Sequence, residues 1–153
     1  MSGWDDYPID YRLVEVRAVL AAVKAGECVS IVGLSGAGKS NLMGFLANRC
    51  GGGELPELAL ADCNRLSGSQ QEQLFALLGE TLGGEQPSVN LLGLEALVET
   101  KLHRAPAGLC LLFDRFDLLN DPSAEPSASA LRALRDRFKY RLTYITSTRR
   151  YLH

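Results

Sequence analysis

Three groups of residues in this sequence have types and spacing that could do chemistry together. The stretch GLSGAGKS, Gly33 to Ser40, fits G-x-x-x-x-G-K-[ST] at every fixed position. Its glycines would let the backbone wrap closely around an anion. The amides of Gly36 to Ser40 would point inward as donors, and the positive end of the following helix would face the bound charge. Leu34, Ser35 and Ala37 occupy variable positions, Gly38 precedes the lysine, and Asn41 follows the motif. Lys39 would reach the β- and γ-phosphates of a nucleotide, and the Ser40 hydroxyl would join a magnesium shell that otherwise keeps several waters. The second group lies in LLFDRFDLL, residues 111–119, where Asp114 closes an apolar run and suits an acid that holds such a magnesium shell. The third is YITSTRR: Thr146, Ser147, Thr148 and Arg149 follow an apolar strand signal. A hydroxyl there could position water, and an arginine could stabilise charge developing on a γ-phosphate.

The residue after Asp114 is Arg115, which cannot act as a base at neutral pH. Asp117 is the next carboxylate along and could orient a water toward the γ-phosphate. It could equally cap a helix or turn beginning near Leu118. Arg149 has two readings as well. It could act on the phosphate, or belong to a basic surface with Arg132, Arg135, Arg137, Lys139, Arg141 and Arg150, interrupted only by Asp136. Such a surface could meet a nucleic-acid backbone or an acidic partner, or could be a solvated helix face.

The elements that must position these groups follow from periodicity. Leu13, Val16, Leu20 and Val23 recur at helical spacing after Asp10, a candidate N-cap, and Gly26 supplies the stop. CVSIVG is a short β-branched run that reads as a buried strand ending at Gly33. KSNLMGFLANR reads as a helix with Leu42, Phe45 and Leu46 on one side, broken by CGGGELPE, and LALAD is a second strand candidate. Ser69 with Glu72 forms a capping-box pattern ahead of LFALLGETL, closed by Gly83 and Gly84. Ser88 or Asn90 opens a helix running to about Arg104, and LCLLF is the next strand. NDPSAEPSAS reads as a surface loop. Ser127 is placed to cap ASALRALRDRF, with Leu131, Leu134 and Phe138 on one face, and LTYIT is the last strand. Strands alternating with helices predict right-handed crossovers and a parallel sheet.

The chain has 153 residues, 46% of them apolar, enough for one packed domain and too few for two of ordinary size. The expected organisation is a single domain over 1–153, with an N-terminal segment and helix over 1–27 and the core over 28–153. Sixteen basic and eighteen acidic side chains exclude a molecule-wide attraction to nucleic acid or membrane. Apolar stretches such as Leu109 to Phe113 and Val89 to Leu94 fall far short of the roughly 20 residues that span a bilayer. MSGWDDYPID lacks the cationic and apolar blocks of a signal peptide, so a cytoplasmic protein is expected. Cys28, Cys50, Cys63 and Cys110 form no C-x-x-C pair, and the expectation is free, mostly buried thiols. His103, near the end of a predicted helix, reads as a surface residue.

VSIVGLSGAGKSNLM, LCLLFDRFD and LTYITSTR together resemble an ASCE-division P-loop ATPase, closest to AAA+ and STAND nucleotide-binding domains of the ORC-like or AAA core type, with a D-x-x-D form of Walker B. The resemblance covers nearly the whole chain. It implies a three-layer α/β/α P-loop NTPase with a parallel sheet of four to five strands, and ATP with Mg2+ as ligands. It further implies Gly33 to Ser40 as Walker A, Asp114 as Walker B and Ser147 to Arg149 around the sensor-1 position. LADCNRL, residues 60–66, is similar to the second strand and its exit in such proteins, and Tyr7 to Tyr11 with Arg12 are candidates for adenine contact. Sheets of that family carry a fifth strand beside the Walker A strand and a helical lid beyond it. With eight residues after Ile145, the chain is expected to lack both, to leave its first strand with an open edge, and to work with further C-terminal domains or other subunits.

The Walker A region is also similar to that of ABC transporter ATPases, and LSGSQQEQ echoes their signature sequence. That signature belongs shortly before Walker B, whereas Leu66 stands nearer Lys39 than Asp114, so spacing argues for a capped helix start instead. Two functions follow for the nucleotide: slow magnesium-dependent hydrolysis of ATP to ADP that sets a switch or motor core, or ATP binding without hydrolysis in a scaffold. Small-molecule phosphotransfer is a third option, for which no acceptor pocket or Arg-rich lid is visible.

Overall fold

A computed structural model describes residues 13–33, 37–51, 54–63, 66, 71–84, 90–116 and 125–149, with the backbone alone at 13, 32, 33, 37–41, 125, 148 and 149. Helix α1 spans Leu13–Lys24 and buries Val16, Val19 and Val23 while exposing Val14, the stripe its spacing requires. Gly26, at φ +79°, ends it. The Gly26 amide donates to Val23 O at 2.9 Å and the Glu27 amide to Ala22 O at 2.9 Å, a Schellman closure that satisfies two terminal carbonyls. Strand β1 is Val29–Gly33. Helix α2, Ala37–Arg49, starts two residues ahead of the expected Lys39 and buries Leu42, Met43, Phe45 and Leu46. Strand β2 is Glu57–Asp62 and helix α3 is Gln71–Thr81, closed at Gly83 and Gly84 by the same pair of reversed bonds that closes α1. Asn90 opens α4, Leu91–Arg104, by accepting from the Gly93 amide at 2.8 Å. Strand β3 is Leu109–Asp114, α5 is Glu125–Arg137 and β4 is Leu142–Arg149.

Two expectations near the C-terminus need correction. Helix α5 begins at Glu125, so residues 125–129 of the expected loop are helical and Ser127, the expected cap, is a fully buried residue inside the helix. Pro126 does not prevent this, because its missing amide would have no intrahelical partner in the first turn. Strand β4 runs to Arg149, so Thr146, Ser147, Thr148 and Arg149 lie within the strand and do not follow it. Pairing with β1 is the reason: Val29 to Gly33 stand in register with Ile145 to Arg149, and each rung keeps β4 extended. Asp10, Ser69, Ser88, Trp4, Tyr7 to Arg12 and Arg150 lie outside the described residues.

The four strands form one parallel sheet in the order β1-β4-β3-β2. From β1 the chain crosses to the far edge at β2, then steps back through β3 to β4. Right-handed crossovers in opposite directions put their helices on opposite faces. The packing agrees with this rule. Helices α1 and α2 cover one face, where Val16, Val23, Leu42, Met43 and Leu46 meet Leu58, Cys110, Leu112 and Ile145. Helices α3, α4 and α5 cover the other, where Leu74, Leu78, Val98 and Leu134 meet Leu109, Leu111, Phe113, Leu142 and Tyr144. Strand β3 is buried at every residue because both layers meet on it. Leu111, Leu112 and Phe113 are fully buried, each worth about 1.5–3 kcal/mol relative to exposure. The result is a three-layer α/β/α arrangement, with β1 at one edge of the described sheet.

The cysteines divide evenly, a correction to the expectation that most are buried. Cys63 and Cys110 are buried, Cys50 is half-buried and Cys28 is exposed, all as free thiols. His103 is exposed, as its place in α4 predicts.

Candidate phosphate-binding site

Because side chains alternate along a strand, only every second residue of each strand faces α2. Leu60, Leu112, Ile145 and Val29 form one such layer across the sheet, and all are apolar. One step further toward the strands' C-terminal ends, Asp62 stands in register with Asp114, and Ser147 stands in register with Ile31. On β2, β3 and β4 the core therefore gives way to polar residues within a single layer, while β1 keeps Ile31 there. In open α/β sheets this end of the strands is where ligands bind.

Asp114 and Ser147 are joined. The Ser147 hydroxyl donates to Asp114 Oδ1 at 2.8 Å and accepts from the Arg115 amide at 3.1 Å. Ser147 is 1% exposed and Asp114 7%, so water competes little for either bond. Arg115 makes this bond from a left-handed backbone, φ +59°, which costs a side-chain-bearing residue roughly 1–2 kcal/mol. Aromatic packing holds the adjoining backbone from the other face. The Phe113 ring meets Tyr144 edge-on at 5.4 Å between centroids and Phe116 at 5.7 Å. The Tyr144 hydroxyl donates to Leu131 O at 2.8 Å, which ties β4 to α5.

The glycine-rich motif straddles the end of β1 and the start of α2: Gly33 is the last residue of the strand, and Ala37, Gly38, Lys39, Ser40 and Asn41 form the first turn of the helix. That turn leaves backbone donors without intrahelical partners and, like the first turn of α4, carries no acidic side chain. Leu34, Ser35 and Gly36 lie outside the described residues, as does Asp117. The backbone of Arg149 stands opposite Gly33 across the β1–β4 pairing. Thr146 is placed elsewhere. It shares the face of Tyr144 and lines a recess of about 380 Å³ with Phe116, Leu131 and Cys28 on the α5 side, away from Asp114. The structure thus brings Gly33, the start of α2, Asp114, Ser147 and the backbone of Arg149 to one end of the sheet, and leaves Thr146 on the other face.

Sequence reasoning missed two features here. Asp62 drew no role, although it ends the LALAD strand candidate as Asp114 ends its own. The Asp114–Ser147 bond joins residues 33 apart in sequence and has no local signal.

The donor set suits magnesium. A carboxylate offers about four lone-pair positions, so accepting from Ser147 leaves Asp114 capacity for a metal-bound water. With the Ser40 hydroxyl it would supply hard oxygen donors and no soft ones.

The basic stretch after residue 131 is partly used inside the fold. Arg137 Nε lies 3.6 Å from Glu95 and its Nη2 lies 3.9 Å from Glu99 on α4, while Arg141 donates to Leu102 O at 3.3 Å.

No family model matches this chain, and no curated protein does. Solved structures match it in fold. Drosophila ORC bound to DNA superposes with a TM-score of 0.63 at 19% identity, over 95% of this chain and 38% of that one. The Aeropyrum pernix ORC2 protein, in ADPNP–ADP complexes, gives 0.64 at 20% identity over 93% and 41%. The Walker-type ATPase paby2304 of Pyrococcus abyssi gives 0.60 at 20% identity over 90% and 44%. The fold is one that this chain shares with these ORC and Walker-type ATPase structures. The chain spans about two fifths of the length of these structures. No described helix is long and apolar enough to cross a membrane.

Proposed function

We propose that this chain is one ATP-binding P-loop domain, residues 1–153, that takes ATP with Mg2+, hydrolyses it slowly, and signals its nucleotide state to further domains or other subunits. The observation that carries this reading is that Gly33 and the start of α2 meet the Asp114–Ser147 pair at one end of a parallel sheet. Lys39 neutralises the β- and γ-phosphates, Ser40 and Asp114 hold the metal and its water, and Arg149 stabilises charge on the γ-phosphate. Asp117 orients the attacking water. ADP remains after hydrolysis and is the second state of the switch. Support for partners comes from the matched structures, which are longer chains and include an ORC bound to DNA. A direct nucleic-acid role for this chain has less support, since Arg137 and Arg141 are engaged with α4. A cytoplasmic setting belongs to the same reading.

The left-handed Arg115 favours a second reading, an ATP-binding scaffold without turnover, because it fills the position directly after Asp114 with a residue that cannot accept a proton. Calorimetric titration with ATP, ADP and GTP, with and without magnesium, tests the binding claim, and single-turnover hydrolysis separates the two readings. The expected result is magnesium-dependent ATP binding that Lys39→Ala weakens about tenfold to a hundredfold, the loss of one charge-assisted contact. Absence of heat on titration of wild-type, folded protein would overturn the proposal.

A further inference from the structure

We infer that Asp62 is a second carboxylate of the magnesium site, positioning metal-bound water beside Asp114. The inference rests on the phosphate-site reading above and adds to it Asp62, a residue that sequence reasoning left without a role. Asp62 and Asp114 are register partners at the last rung of the β2–β3 pairing. Partners in a parallel pair project to the same face from backbones about 4.8 Å apart. That face is the one α2 covers, since Leu58 and Leu60 on β2, and Cys110 and Leu112 on β3, pack with α2 in one core group.

Helix α2 leaves the end of β1 and returns to the start of β2, so it runs against the strands and its first turn lies at their C-terminal ends. It packs over β2 and β3. The start of α2 and the two aspartates therefore share the C-terminal end of the sheet, on the face that α2 covers. Asp114 is nearly buried and bonded to Ser147, and Asp62 beside it is half-buried.

The chemistry follows from magnesium's habits. The ion keeps most of its waters and holds them at about 2.1 Å, so its outer oxygens need acceptors spread over several ångströms. One carboxylate cannot span that shell, but two on neighbouring strands can. Two like charges at this spacing repel without a cation, and a divalent ion beside them reverses the sign of the interaction. Asp62 is a positioning residue in this account. It acts on the phosphates only through the metal and its water.

The test compares ATP affinity in EDTA with ATP affinity in saturating magnesium for wild-type protein, Asp62→Asn, Asp62→Ser and Asp62→Glu. The quantity read is the ratio of the two affinities, with melting temperature as the fold control. The neutral variants should shrink the ratio about tenfold, the usual effect of losing a residue that orients a metal's ligands. Removing a negative charge near a polyphosphate should leave their metal-free binding equal to wild type or tighter, a change that structural damage would not produce. Asp62→Glu should keep most of the ratio. A ratio within twofold of wild type in both neutral variants overturns the inference, as does equal weakening with and without metal. A wild-type protein that binds ATP no better with magnesium also overturns it while leaving the phosphate site standing. Wild-type protein that binds no ATP under either condition overturns the phosphate site itself.

Discussion

The hydroxyl of Ser147 on β4 lies 2.8 Å from Asp114 Oδ1 on β3 and 3.1 Å from the amide of Arg115, so one buried side chain bridges a carboxylate and the left-handed turn that follows it. Any ligand that draws on Asp114 also draws on Ser147, and through it on the backbone where β3 ends. Ser147→Ala removes the bridge and leaves a buried carboxylate and a half-buried amide one partner short. The expected loss is about 1–3 kcal/mol of stability, read from the urea midpoint. Magnesium-dependent ATP affinity should fall as well, because the carboxylate is no longer oriented.

Asp117→Asn tests the proposed base. If Asp117 orients the attacking water, single-turnover phosphate release should fall about a hundredfold or more while ATP affinity stays within a few-fold of wild type. Unchanged turnover with intact binding removes Asp117 from the mechanism.

Gly108 sits where β3 enters the sheet, at φ +109°, and a Cβ there would approach Arg141 O to 2.8 Å. Its own carbonyl accepts from the Glu57 amide at 3.0 Å, and the next amide, of Leu109, donates to Arg141 O at 2.8 Å. Little room exists for the backbone to move aside. Gly108→Ala should cost about 3 kcal/mol through strain and displacement together, measured by chemical denaturation.

Alkaline pH should loosen the core. Burial pushes the Cys110 thiol up from 9.0 to about 12, and burial raises the Tyr144 phenol as well. Below pH 9 both folded and unfolded chains keep the Cys110 proton, and its contribution is constant. Above pH 9 the unfolded chain releases that proton first, so stability falls as pH rises toward 12, by up to about 1.4 kcal/mol per pH unit from this group and about 4 kcal/mol in all. Urea titrations at pH 7.5, 9 and 10.5 should show this decline. Cys110→Ala, although less stable at neutral pH, should decline less steeply.

Sequence by itself determined the element order. Gly26 and Gly83, with free access to positive φ, end α1 and α3 as their positions predict, and Asn90 opens α4 with the side-chain oxygen that makes it a cap. Runs such as LCLLF could only be strands covered on both faces. These are local matters of periodicity, capping and backbone freedom, and a linear reading reaches them. The phosphate motif is local too, since its parts fall within eight consecutive residues.

Tertiary structure decided the rest. Strand order placed β4 between β1 and β3, and this alone set Ser147 against Asp114. Pairing with β1 kept residues 146–149 extended, and side-chain alternation then sent Thr146 to the α5 face and Ser147 to the α2 face. The register of β2 with β3 brought Asp62 beside Asp114. The physical reason is the same each time: a strand's partner and register are chosen by which apolar face is buried against which helix, an energy that belongs to the assembled layers and has no value in any one segment.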